Sequence, residues 1–101
     1  MRLPAEGAAR PTGRLRVPDT VLFEEVSGEV VLLDLASGKY YGLNGVASRM
    51  WHALVQAGDV EAAVPLLQAR YDVPVERLRA DLARLVGRLL AAGLLEGTDG
   101  A

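Results

Sequence analysis

A chain of 101 residues fits one domain with little to spare. Half of it is apolar, enough for one modest core, and the absence of cysteine excludes a disulfide framework and thiolate metal sites. Its formal net charge of −2 lacks the clustered positive excess that binding nucleic acid phosphates calls for.

No apolar run approaches the ~20 residues of a membrane span. The first residues also lack the continuous apolar stretch of a secretory signal. The sequence therefore reads as cytoplasmic, with no membrane partner. Residues 1–18 read as a disordered or loosely attached tail, because Pro4, Pro11 and Pro18 interrupt a stretch with almost no periodic apolar pattern. Over residues 1–20, Arg2, Arg10, Arg14 and Arg16 outnumber Glu6 and Asp19, a net of +2 that leaves −4 for the remainder. The folded domain is expected over residues 19–96, with 97–101 as a frayed C-terminus.

The first run, Val21-Leu22-Phe23-Glu24-Glu25-Val26, is rich in strand formers and alternates loosely. Ser27-Gly28 is a turn signal, and Glu29–Leu35 follows as a second strand, making a hairpin. After the turn at Ala36-Ser37-Gly38, Lys39–Leu43 forms a third strand. Short turns give an antiparallel meander whose edges are the first and third strands. In the middle strand, Val31, Leu33 and Leu35 point to one face, and Val30 and Leu32 to the other. A sheet with one wet face shows polar residues there. Here either helices cover both sides or part of one face waits for a partner.

Asn44 is placed to cap a first helix through its side-chain oxygen, and Gly58 to end it. Val46, Ala47, Met50, Trp51 and Leu54 recur between them at helical spacing. Asp59 caps a second helix that runs to about Tyr71, although Pro65 either kinks it or marks its true first turn. Pro74 suits the first turn of a third helix, in which Val75, Leu78, Leu82, Leu85, Val86, Leu89 and Leu90 fall in an arc of about 140°. Arg77, Asp81, Arg84 and Arg88 lie on its other side, and Gly93 is placed as a left-handed terminator with Leu94 packing back.

Little in this pattern performs chemistry. His52 is the single histidine, set away from the apolar stripe of its helix, so no metal site can be assembled around it. Glu24 and Glu25 are adjacent in a strand and point to opposite faces, which prevents them from acting as a carboxylate pair. Ser27 and Ser37 are turn residues, and Ser48 has no base in an obvious arrangement. Gly38, Gly42 and Gly45 lack the spacing and following Lys-Ser/Thr of a phosphate loop. The chain reads as a binding protein, not an enzyme, with no cofactor. An open strand edge beside a leucine-rich helix is the setting for strand addition, where backbone bonds supply affinity and side-chain pockets supply specificity.

Two apolar strands, then Gly38-Lys39-Tyr40-Tyr41-Gly42-Leu43-Asn44, then helices ending in Asp81-Leu82-Ala83-Arg84-Leu85-Val86-Gly87-Arg88-Leu89-Leu90-Ala91-Ala92-Gly93-Leu94-Leu95, together resemble the PqqD family. The resemblance spans about residues 18–96. These RiPP recognition elements are small winged-helix-like domains that bind leader peptides of ribosomally made, modified peptides. The segment from Gly58 to Val73 is most similar to the stand-alone members of lasso peptide gene clusters, with the pyrroloquinoline quinone branch as the nearer alternative. The resemblance implies an α+β fold, a three-stranded antiparallel sheet followed by three helices.

It also implies that the leader adds as a fourth strand beside the third, lying between that strand and the third helix. Carried onto this chain, the backbone of Lys39, Tyr40, Tyr41 and Gly42 pairs with the leader, and Val31 and Leu33 floor the groove. Leu78, Asp81, Leu82 and Leu85 supply contacts from the helix, with Arg77 and Arg88 as rim charges. The partners implied are the precursor's leader peptide, a leader protease and a macrolactam cyclase. Two readings from other classes stand beside this one. One is a winged-helix DNA-binding regulator, which Arg77, Arg79, Arg84 and Arg88 suggest and the acidic total opposes. The other is a module that dimerises through its own strand edge.

Overall fold

Apolar runs joined by tight turns fold as a meander followed by three helices in the computed structural model, which describes residues 14–97. The expectations for residues 1–13 and 98–101 lie outside the described residues. Strands β1 (Leu15–Arg16), β2 (Val21–Val26), β3 (Glu29–Asp34) and β4 (Lys39–Gly42) precede helices α1 (Gly45–Ala57), α2 (Val60–Gln68) and α3 (Val75–Ala91), and β5 (Glu96–Gly97) closes the order. The main sheet is antiparallel in the order β2-β3-β4, as the short connections require. Ser27 and Gly28 both take left-handed backbone conformations, φ 54° and 84°, which matches the right-handed twist of the strands they join.

Helices cover one face of this sheet. Val30 and Leu32 are fully buried on that face, together with Trp51 and Leu54 of α1 and Leu82 of α3. Phe23 shares the face and meets Trp51 edge-on, with ring centroids 5.1 Å apart. Burial of each such side chain contributes about 1.5–3 kcal/mol, and most of the buried side chains belong to the three helices and the segment after α3. The first possibility left open by the middle strand is excluded: the face bearing Val31 and Leu33 has no helix over it.

The helix ends follow their capping residues. The Asn44 side chain accepts from Ala47 N–H at 2.8 Å, and that of Asp59 accepts from Ala62 N–H at 2.7 Å. Gly58 ends α1 in the left-handed region. After α3, Gly93 N–H donates to Leu90 and Leu94 N–H to Leu89, the paired bonds of a Schellman terminator, and Leu94 is buried. Pro65 lies inside α2, which ends at Gln68 and not at Tyr71. Its missing N–H removes one intrahelical bond without breaking the helix. Pro74 stands at the cap position of α3, one residue before the first turn.

The N-terminal boundary also shifts. Residues 14–18 and Gly97, read as tail and frayed end, take part in the fold. β1 pairs antiparallel with β5, Leu15 with Gly97 and Arg16 with Glu96. Arg16 Nε and Glu96 Oε2 are 2.7 Å apart, and Leu15 N–H donates to the Gly58 carbonyl at 2.7 Å. Leu15 and Val17 pack against the core. Among the described residues no helix is long and apolar enough to cross a membrane.

Candidate functional site

In an antiparallel ladder, alternate residues turn both backbone groups toward the same neighbour. Leu43 N–H donates to Val30 C=O at 2.9 Å, and Leu35 N–H to Thr20 C=O at 2.8 Å. Even-numbered residues of β3 therefore bond to β4, and its odd-numbered residues to β2. With Leu32 opposite Tyr41 and Asp34 opposite Lys39, Lys39 and Tyr41 turn their backbone groups toward β3, with Lys39 N–H also donating to Ser37 Oγ at 3.2 Å. Those of Tyr40 and Gly42 face out from the edge. This corrects the expectation that all four residues pair with an added strand: the inward alternation leaves two.

Side chains of the edge divide as well. Tyr41 is half-buried against the core, on the helix side, while Tyr40 is 72% exposed on the other face. Val31 and Leu33 share the face of Tyr40, because they stand opposite Gly42 and Tyr40 in the register. They cannot floor a groove walled by α3, since the helices pack on the Val30 and Leu32 side. That expectation fails on the two-residue period of the strand.

On α3 the apolar stripe is core. Leu78, Leu82 and Leu85 are at most 4% exposed, so their side chains are not available to a ligand. Leu90, placed in the same stripe by periodicity, is instead 43% exposed. Arg79 donates from Nε to both Glu61 carboxylate oxygens of α2, at 3.0 and 2.9 Å, which turns its flank of α3 toward α2. Those hydrogen bonds first, and the charge attraction second, raise the guanidinium above its ordinary range. The opposite flank carries Asp81, Arg77 and Arg88. Asp81 is half-buried and held by Arg84 at 3.1 Å and more loosely by Arg77 at 3.9 Å.

Ser48 has a role that the sequence did not disclose. Its buried Oγ accepts from Val30 N–H at 2.7 Å and donates to Leu43 C=O at 3.1 Å. It bridges Val30 N–H and Leu43 C=O, the one missing bond of the pair whose other member is Leu43 N–H to Val30 C=O, and so fixes the end of β4 against α1. His52 has a partner too, its Nε2 lying 2.9 Å from Glu25 Oε1. Among the described residues no cluster of three or more histidine, cysteine or acidic side chains could hold a metal ion.

The arrangement defines a small α+β domain, a three-stranded meander with one bare face and an open edge, backed by three helices. The family model described as coenzyme PQQ synthesis protein D (PqqD) matches residues 29–95, and the chain belongs to that family. Two solved structures share the fold. TbiB1 in complex with the TbiA(beta) leader peptide is 35% identical, with 82% of this chain and 96% of that one covered and a TM-score of 0.76. A lasso peptide synthetase B1 complexed with the leader peptide is 25% identical, with 82% and 98% covered and a TM-score of 0.73. No curated protein matches the chain by sequence.

Proposed function

We propose that this chain binds the leader peptide of a ribosomally synthesised precursor, in a lasso peptide pathway, as a fourth antiparallel strand on β4. The observation that carries the reading is the outward backbone of Tyr40 and Gly42 on an uncovered edge, in a chain 35% identical to a protein solved with a leader peptide. Alternate leader side chains then fall on the Tyr40 face and on the helix side. The flank of α3 turned away from α2, with Asp81, Arg77 and Arg88, forms the second wall. The bound leader is held for a separate leader protease and macrolactam cyclase, with capture raising its local concentration and no covalent step on this chain.

The test is calorimetric titration with the leader of the adjacent precursor and with a scrambled leader. Saturable binding of the true leader alone supports the reading. Equal binding of both, or of neither by the folded protein, contradicts it.

A further inference from the structure

Gly42 is a glycine that the domain itself does not need. It stands in the edge strand β4, where glycine weakens a sheet by adding chain entropy and packing nothing. Two reasons commonly retain a glycine, a left-handed backbone or a crowded Cβ position, and neither holds here. Positive φ is confined to Ser27, Gly28, Gly38, Gly58 and Gly93 among the described residues. A Cβ built on Gly42 meets no atom within 4 Å. What the bare Cα offers is room for a ligand that comes close to the strand.

The neighbours of Gly42 define that room. On the uncovered face of the sheet the register sets two cross-strand rows, Leu22–Leu33–Tyr40 and Glu24–Val31–Gly42. The first row carries a large side chain at every position. In the second, Gly42 contributes none, so the partly buried Val31 borders an open notch, with Tyr40 two residues along β4 on the same face. The Gly42 backbone groups face outward, so an added strand sets one residue opposite them, its side chain on this face. A ring there lies back across the bare Cα onto Val31, the contact by which an aromatic residue compensates a glycine on the neighbouring strand. The charged groups of the face beside Val31 are Glu24 and Glu29, which disfavour an acidic side chain in the notch.

We infer that Gly42 is a specificity determinant of the β4 edge: it admits an aromatic side chain of the leader, from the residue paired opposite it, laid over Gly42 against Val31. This rests on the strand addition proposed above and adds which face, and which class of side chain, is read there. It concerns the face away from α3.

The experiment titrates the native chain and Gly42→Val with the leader of the adjacent precursor and with leaders in which each aromatic residue in turn is alanine. For the native chain, one such replacement is expected to weaken binding about tenfold, from the apolar area the ring no longer buries. Valine fills the notch and suits a strand, so Gly42→Val is expected to fold and to bind the unaltered leader about tenfold more weakly. The same alanine replacement should then change its affinity by less than about twofold, because both substitutions remove one contact. Nuclear Overhauser contacts from the Val31 methyl groups to that ring are expected in the native complex, and they depend on no variant.

Specific leader binding without those contacts overturns the inference and leaves strand addition standing. So does a folded Gly42→Val that binds the leader as tightly as the native chain, or a ring whose removal weakens both chains equally. A native chain that binds no leader overturns the proposed function and this inference with it.

Discussion

Tyr40 and Tyr41 are neighbours with opposite duties, and substitution by proline separates them. Proline is tolerated on an edge strand where the N–H faces outward, and not where the N–H belongs to the ladder. Tyr40→Pro is expected to fold with a near-native melting curve and to lose most leader affinity. Tyr41→Pro removes the donor committed to β3 and is expected to unfold the sheet, which circular dichroism would report. Normal leader binding by folded Tyr40→Pro contradicts pairing at this edge. Ser48→Ala leaves the buried Val30 N–H without its acceptor, and a destabilisation of about 1–3 kcal/mol is expected in a denaturant titration. The opposite faces of the tyrosines were legible in the sequence, since they follow from a two-residue period. The role of Ser48 was not, because its partners lie 18 residues back along the chain and in the connection before the helix.

At the scale of the elements, caps and turns were the most legible part of the chain. Asn44, Asp59, Gly58 and Gly93 act where their chemistry places them, because each effect is local. Which face of an amphipathic element meets the core was less legible. In β3 both faces are apolar, and only tertiary packing chose Val30 and Leu32 for the interior. In α3 the core stripe and the expected groove stripe shared one arc, and packing assigned Leu78, Leu82 and Leu85 to the core. Leu82→Ala is therefore expected to cost about 2–5 kcal/mol of stability. Arg88→Ala, exposed on the flank turned away from α2, is expected to change stability by less than about 0.5 kcal/mol while weakening leader binding. Comparable destabilisation by both would refute this division of α3.

For the molecule as a whole, the N-terminal segment is tied to the fold through Gly58. This residue ends α1 at φ 84°, and its carbonyl receives the Leu15 N–H. A Cβ there would lie 3.2 Å from the Arg14 guanidinium. Gly58→Ala is expected to cost about 1–2 kcal/mol from the left-handed conformation, and to speed amide exchange at Leu15 as the β1–β5 pair loosens. Exchange at Tyr40 should not change. The pairing of β1 with β5 joins residues near both ends of the chain, and no local signal could have announced it. The resulting molecule presents an open β4 edge on one side and, on the other, a cleft lined by Glu25, Arg49, His52, Gln56 and Arg70.

The measurement closest to the central claim is calorimetric titration of the native chain and of Tyr40→Pro with the leader of the adjacent precursor, with its scrambled form as control. The account predicts saturable one-to-one binding of the true leader to the native chain, little binding to Tyr40→Pro, and none of the scrambled peptide. Equal affinity of the native chain and a folded Tyr40→Pro variant would contradict it.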